Sequence, residues 1–234
     1  MTIIMSLKEN VERILSQIEL IRAGRKYFSD RPVVLVAATK YVGAEVVNQL
    51  IDWGIRDIGE NRVQDAEKKF SRMGERIFRV KKHFIGHLQT NKVRKCLQLF
   101  DMIDSLDNEK LARVIDEEAR RLNRIVPCLV EVKVSPEATK FGQEPEELLD
   151  FWAKVRDLKN IQLRGLMTMA PFMENPEDCR PFFRQARQCL EKIVAEFGLD
   201  WPELSMGMSN DYPIAIEEGA TMVRIGSALY QGVI

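Results

Sequence analysis

Val33-Val34-Leu35-Val36-Ala37-Ala38-Thr39-Lys40 is a valine-rich apolar run that stops abruptly at a lysine. An uninterrupted apolar run of this length reads as a strand covered on both faces, which is the pattern of parallel sheets. Active groups of α/β folds collect at the carboxyl ends of such strands, so the reading places a buried Lys40 amine at the rim where sites are built. An amine there can condense with an aldehyde once it loses its proton, and lysine loses one on desolvation far more readily than arginine. The competing reading is a strand-terminal lysine whose stem lies on apolar surface while its head reaches water.

Outward from this strand, apolar strand-like runs alternate with helix-like runs as far as the C-terminus. Strands are expected at 33–39, 55–59, 79–85, 102–105, 127–134, 161–169, 203–207 and 222–226. Helical segments are expected at 44–53, 61–72, 90–98, 108–123, 145–158 and 177–197, with a shorter one at 210–219. Strands separated by helices imply a parallel sheet, and closing it into a (β/α)8 TIM barrel removes both exposed edges. An open doubly wound sheet is the alternative. Before the first strand, Leu7, Val11, Ile14, Ile18 and Ile21 recur at helical spacing within 5–27. Only eight residues follow Gly226, too few for a full closing helix. This extra N-terminal helix is therefore expected to cover the barrel wall with that stripe buried. No repeat or linker divides the chain, so residues 1–234 are read as a single domain.

Length and charge narrow the function. The chain has 234 residues, 45% hydrophobic content, and 35 basic residues balanced by 35 acidic ones. A zero net charge gives no reason to expect nucleic acid or an anionic membrane as a partner. No apolar run approaches the roughly 20 residues that span a bilayer, and the start Met-Thr-Ile-Ile-Met-Ser lacks the charged-then-apolar order of a secretory leader. A soluble, cytoplasmic protein is expected. Cys96, Cys128, Cys179 and Cys189 lack the close spacing of zinc or redox motifs and read as reduced structural thiols. His83 and His87 would share a helix face, but the strand-like His83-Phe84-Ile85 and Gly86 argue against a helix, and no third metal ligand is evident.

Further candidates lie at the ends of the predicted strands. Leu204-Ser205-Met206-Gly207-Met208-Ser209 and Met222-Val223-Arg224-Ile225-Gly226-Ser227 fall on the last two, where barrels commonly bind phosphate. Gly226 admits close backbone approach, and the Ser209 and Ser227 hydroxyls can donate beside free amides. Serine-capped turns explain the same letters. Arg224 tips the balance toward a site, because a cation inside an apolar strand is costly without a partner. Asn61, after Gly59-Glu60, either touches a ligand or caps the next helix, and the local sequence favours the cap. Gly86-His87-Leu88-Gln89-Thr90-Asn91-Lys92 fails as a P-loop, since Asn91 replaces a required glycine and Val93 the Ser/Thr. Met167 and Met169 read as soft apolar filling.

Ala38-Thr39-Lys40, Gly59-Glu60-Asn61, His83-Phe84-Ile85-Gly86 with Leu88-Gln89 and Asn91-Lys92, Arg164-Gly165-Leu166-Met167-Thr168-Met169, Ser205-Met206-Gly207-Met208-Ser209 and Val223-Arg224-Ile225-Gly226 occur in this order. Taken together, the set resembles the pyridoxal-phosphate homeostasis protein family from residue 33 onward, which is similar to the barrel domain of alanine racemases. The resemblance implies pyridoxal 5′-phosphate as cofactor, with Lys40 as the Schiff-base lysine, Ser209, Gly226 and Ser227 at the phosphate, and Asn61 near the cofactor. It places Arg224 beside the ring, at the pyridine nitrogen in the racemase arrangement or else at the phosphate. The ending Tyr230-Gln231-Gly232 departs from the family's usual phenylalanine-glycine.

A cation at the pyridine nitrogen opposes its protonation and weakens the ring as an electron sink. Racemases of this similarity also use a tyrosine from an additional β domain, for which the barrel leaves no residues here. Tyr27, Tyr41, Tyr212 and Tyr230 have no recognisable catalytic setting. The expectation is a monomeric carrier or buffer of pyridoxal 5′-phosphate that acts on vitamin B6 and amino-acid balance and delivers the cofactor to apo enzymes. A small pyridoxal-phosphate-dependent racemase or related enzyme is the alternative, and a sugar-phosphate barrel enzyme using the lysine alone is a third reading.

Overall fold

The structure is a computed structural model that describes residues 6–134 and 141–233. The first five residues, on which the expectation of no leader rests, lie outside the described residues. Among the described residues, eight parallel strands close in sequence order, with β1 (Val34–Ala38) joined to both β2 (Asp57–Glu60) and β8 (Met222–Ile225). Between these lie β3 (Lys81–Phe84), β4 (Met102–Leu106), β5 (Val126–Glu131), β6 (Ile161–Met167) and β7 (Glu203–Ser205). The closed barrel is as expected, and the open doubly wound alternative is not adopted.

Strand alternation sorts the side chains into two cores. Leu35 and Ala37 of β1 face outward into a large core shared with the helices, while Val36 faces inward with Met102, Leu129, Met167 and Met222. The outer layer is built by α1 (Leu7–Gly24), α2 (Ala44–Asp52), α3 (Val63–Met73), α4 (Val93–Leu99), α5 (Glu109–Arg121), α6 (Leu148–Val155), α7 (Arg180–Phe197), α8 (Tyr212–Glu217) and the four-residue α9 (Ser227–Tyr230). No helix of the described residues is long and apolar enough to cross a membrane. Cys96, Cys128, Cys179 and Cys189 are all free and buried.

A capping box starts α1, with Ser6 and Glu9 exchanging hydrogen bonds. Its stripe Leu7, Val11, Ile14 and Ile18 is buried, and the helix packs on α8 and α9. The buried Asn10 amide donates to the carbonyls of Leu229 at 3.1 Å and Gln231 at 2.9 Å. The N-terminal helix thus supplies the wall that the short α9 cannot.

Polar groups pin the lower and upper parts of the barrel. Inside it, His83 lies between Asp104, 3.1 Å from Nδ1, and Asp57, 3.0 Å from Nε2. Burial opposes the imidazolium, but the two carboxylates outweigh it and raise the His83 pKa to about 9. The histidine belongs to a strand and serves this pair of carboxylates. At the upper end of β1, the Thr39 hydroxyl donates to Glu60 at 2.6 Å, and Lys69 of α3 donates to both Glu60 and the Thr39 carbonyl. The peptide that precedes Lys40 is thereby held from two sides.

Candidate functional site

A cavity of about 240 Å³ opens at the carboxyl ends of the strands. Lys40 after β1, Asn61 after β2 and Arg224 of β8 line it, so three of the residues singled out from sequence meet on one wall. Ala38, Ile85, Met169 and Met208 give it apolar surface, while Glu131 and His87 add groups that titrate.

Lys40 departs from expectation in one respect. It lies two residues beyond the end of β1, and its side chain is exposed, with Nζ 5.0 Å from the centre of the Tyr41 ring. The strand delivers the residue to the rim, but the turn at 40–42 leaves the amine in contact with solvent, so the desolvation read from the apolar run is absent. Asn61 also departs. Helix α3 is capped at Arg62, with no side-chain capping bond, and Asn61 stands on the cavity wall. The cap reading fails because the chain is still extended at Arg62 and enters the helix one residue later than Asn61 would require.

Gly86 sets the distance between two of these loops. A Cβ at Gly86 would fall 2.4 Å from the Asn61 carbonyl oxygen and 2.8 Å from its Cα. Because both obstacles are backbone, only glycine lets the loop after β3 close on the loop after β2.

Arg224 is buried, and its guanidinium donates to the Ser205 hydroxyl at 2.7 Å and to the Thr168 carbonyl at 2.8 Å. Burial lowers its pKa from the usual arginine range, against the opposing pull of Asp104, Glu131 and Asp211. The partner demanded by a cation in an apolar strand is therefore a hydroxyl, a carbonyl and a set of carboxylates at longer range. Glu131, at the end of β5, is buried as well. Desolvation, reinforced by Asp107 and partly offset by Arg224 and Lys133, raises its carboxyl to about 7.

Ser209, Gly226 and Ser227 form a cluster beside the cavity. The Ser209 hydroxyl oxygen accepts from the amides of Gly226 at 3.2 Å and Ala228 at 3.1 Å, which ties the loop after β7 to the start of α9. The Gly226 and Ala228 amides are thus engaged by the serine. Ser227 is exposed, and a Cβ at Gly226 would lie 3.4 Å from Ala38, a cavity residue. Two short segments of the chain meet here because Gly207, at φ +91°, turns the strand outward; a Cβ on it would come 2.6 Å from Ala215.

Sequence reasoning missed Glu131 and His87. A carboxylate inside Leu129-Val130-Glu131-Val132 carries the same signal that identified Arg224. In the sequence, His87 reads only as one of two possible metal ligands. Its Nδ1 lies 3.1 Å from the buried carboxylate of Asp107, and its ring stacks on Phe141 with centroids 3.6 Å apart.

The arrangement offers an accessible amine, a fixed cation, and hydroxyl and amide groups beside a partly apolar cavity. An aldehyde with an aromatic body and an anionic arm fits that set of donors. The family model described as alanine racemase, N-terminal domain, matches residues 11–233. The pyridoxal phosphate homeostasis protein of Aquifex aeolicus (strain VF5) is 41% identical, over 97% of this chain and 98% of its own length. Its namesake in Synechocystis sp. (strain ATCC 27184 / PCC 6803 / Kazusa) is 38% identical over 85% of this chain and 90% of that protein. PipY of Synechococcus elongatus PCC7942, solved with PLP bound, superposes with a TM-score of 0.85 at 32% identity, covering 96% of this chain and all 100% of that one. Alanine racemase of Clostridium difficile 630, in complex with cycloserine, shares the fold, with a TM-score of 0.73 at 17% identity over 94% of this chain and 59% of that one.

Proposed function

The chain belongs to the pyridoxal phosphate homeostasis proteins of the alanine racemase N-terminal domain family, and on that premise we propose that it binds pyridoxal 5′-phosphate at Lys40 to buffer and deliver it. Bound there, the cofactor supplies an aldehyde carbon that a lysine amine can join as a Schiff base. The observation that carries the reading is that Lys40, Asn61 and Arg224 line one cavity while the Ser209–Gly226 cluster borders it through Ala38.

Each residue has a task in this reading. Lys40, exposed at the mouth, meets a ligand arriving from solvent. Ser209, Gly226 and Ser227 supply hydroxyls and amides suited to a phosphate, with Ser209 exchanging its present amide partners for the anion. Asn61 contributes an amide side chain to the wall. Arg224, locked by Ser205 and Thr168, keeps a permanent positive charge in place. A fixed cation disfavours a second positive charge nearby, which limits the electron-sink chemistry of a bound pyridine ring and favours holding over turnover. The reading takes residues 1–234 as one domain with one cofactor, working in the cytoplasm as a monomer that hands its cargo to apo enzymes.

Borohydride reduction of protein loaded with pyridoxal 5′-phosphate, followed by peptide mapping, tests the assignment. The expected result is a single adduct on Lys40, a visible absorption band lost in Lys40→Ala, and weaker retention in Ser209→Ala and Ser227→Ala by about 1 to 2 kcal/mol each. An adduct on another lysine would overturn the Lys40 assignment. Steady-state racemisation of an L- or D-amino acid that disappears in Lys40→Ala would overturn the carrier reading.

A further inference from the structure

A solvated lysine amine carries a proton at neutral pH, and that proton must leave before the nitrogen can bond carbon. In many lysine sites desolvation drives it off. Here Lys40 is exposed, so burial does not supply that driving force. If Lys40 exchanges an aldehyde as proposed above, a neighbouring group has to accept and return the proton.

We propose that His87, oriented by Asp107, is the proton-transfer residue for capture and release at Lys40. This inference rests on the Lys40 reading. His87 lines the cavity that Lys40 lines, on the loop after β3, and also the adjoining cavity of about 340 Å³. Asp107 follows β4 directly, and its buried Oδ2 lies 3.1 Å from Nδ1 of His87. Its other oxygen accepts from Asn108 at 2.6 Å, and its backbone carbonyl accepts from Gln143 at 2.5 Å, so the carboxylate cannot swing away. A carboxylate at Nδ1 keeps the proton on that nitrogen and leaves Nε2 as the basic one. Stacking on Phe141 fixes the plane of the ring. The arrangement is an exposed histidine at the cavity whose ring is oriented by a buried carboxylate.

The balanced step is simple. Neutral His87 takes a proton from the Lys40 ammonium, directly or through one water, and the freed amine adds to the aldehyde carbon. The oxygen takes one proton from the added nitrogen and a second from the imidazolium, and leaves as water while the carbon–nitrogen double bond forms. Release runs in reverse: a water adds, His87 takes its proton, and Lys40 leaves as the amine.

Glu131 is the competing acid or base in the same cavity, but it is buried deeper and its charge is opposed by desolvation. The charged groups that face His87 are Asp107 at Nδ1, Lys40, Glu131 and Arg224 around the first cavity, and Arg62 and Lys92 around the second.

Stopped-flow mixing of cofactor-free protein with pyridoxal 5′-phosphate between pH 6 and 9 reads the step, with hydroxylamine-triggered release as the reverse. His87→Gln is expected to slow both by about tenfold to a hundredfold and to remove the histidine limb of the pH profile. Free imidazole should restore the rate in His87→Ala, which a merely structural role would not allow. Independently of loading, the chain has only two histidines, so nuclear magnetic resonance of the cofactor-free protein follows each ring. Asp107→Asn should alter the His87 ring signals and leave those of His83 in place. An unchanged rate and pH profile in His87→Gln, or a limb that disappears in Glu131→Gln instead, overturns the inference while a Lys40 adduct still forms. Wild-type protein that yields no Lys40 adduct overturns the carrier reading and this inference together.

Discussion

Glu131 sits where a carboxylate is costly. Its folded pKa of about 7 exceeds the ordinary 4.5, so the folded chain holds this proton more tightly than the unfolded one. Stability from the group is complete below pH 4.5 and is lost as pH rises through 7. The shift is worth about 3 kcal/mol. Glu131→Gln should therefore gain thermal stability relative to wild type between pH 5 and pH 8, and a constant gap in melting temperature across that range would refute the shift. Gly86→Ala makes a second test, since its Cβ would press on the Asn61 backbone. A loss of about 1 to 3 kcal/mol in urea unfolding is expected, together with weaker cofactor retention; wild-type values for both would contradict the close contact. Lys40 and Arg224 were legible because each breaks an apolar strand with a charge. Asn61 was not, because the same letter serves as a cap and as a ligand group, and only the backbone at Arg62 decides. The Lys69–Glu60–Thr39 network was equally hidden, since it depends on how α3 leans on the rim of the barrel.

Strand β3 carries the next scale of consequence. Because His83 titrates at about 9 rather than at 6.5, its contribution is fully present below pH 6.5 and is lost as pH rises through 9. Urea titrations should show about 3 kcal/mol of stability lost between pH 6.5 and pH 9.5 from this source. His83→Gln should lose about 3 to 5 kcal/mol at pH 7, through leaving Asp104 buried and unpaired, and should lack the alkaline decline. A variant that retains the decline would assign it to another group. Every strand and helix read from the sequence is present, but the boundaries moved where local geometry outweighed composition. The expected strand 203–207 is only Glu203–Ser205 as regular strand, although Met206 and the Gly207 carbonyl still bond to β8 before Gly207, at positive φ, turns the chain. The helix expected from 90 begins at Val93, because Thr90–Lys92 forms a tighter 3-10 turn first. Apolar spacing locates the middle of an element well, whereas its ends are set by turns that the spacing does not encode.

At the level of the molecule, the alternation of eight apolar runs with amphipathic ones made the barrel readable, and the apolar stripe Leu7, Val11, Ile14 and Ile18 marked α1 as a helix packed on its wall. Ile14 of that helix is fully buried, so Ile14→Ala should cost about 2 to 5 kcal/mol and lower a single cooperative transition. An early separate transition, with the rest of the protein unaffected, would mean that α1 is an appendage. The same closure has a consequence during synthesis. Strand β1 has an open edge until β8 pairs with it, and Asn10 finds its carbonyls only at Leu229 and Gln231. A nascent chain on the ribosome thus carries an unzipped sheet and an orphaned first helix until β8 and the segment to Gln231 have been made. Truncation before β8 would therefore leave an adhesive fragment for chaperones and proteases rather than a slightly shortened barrel.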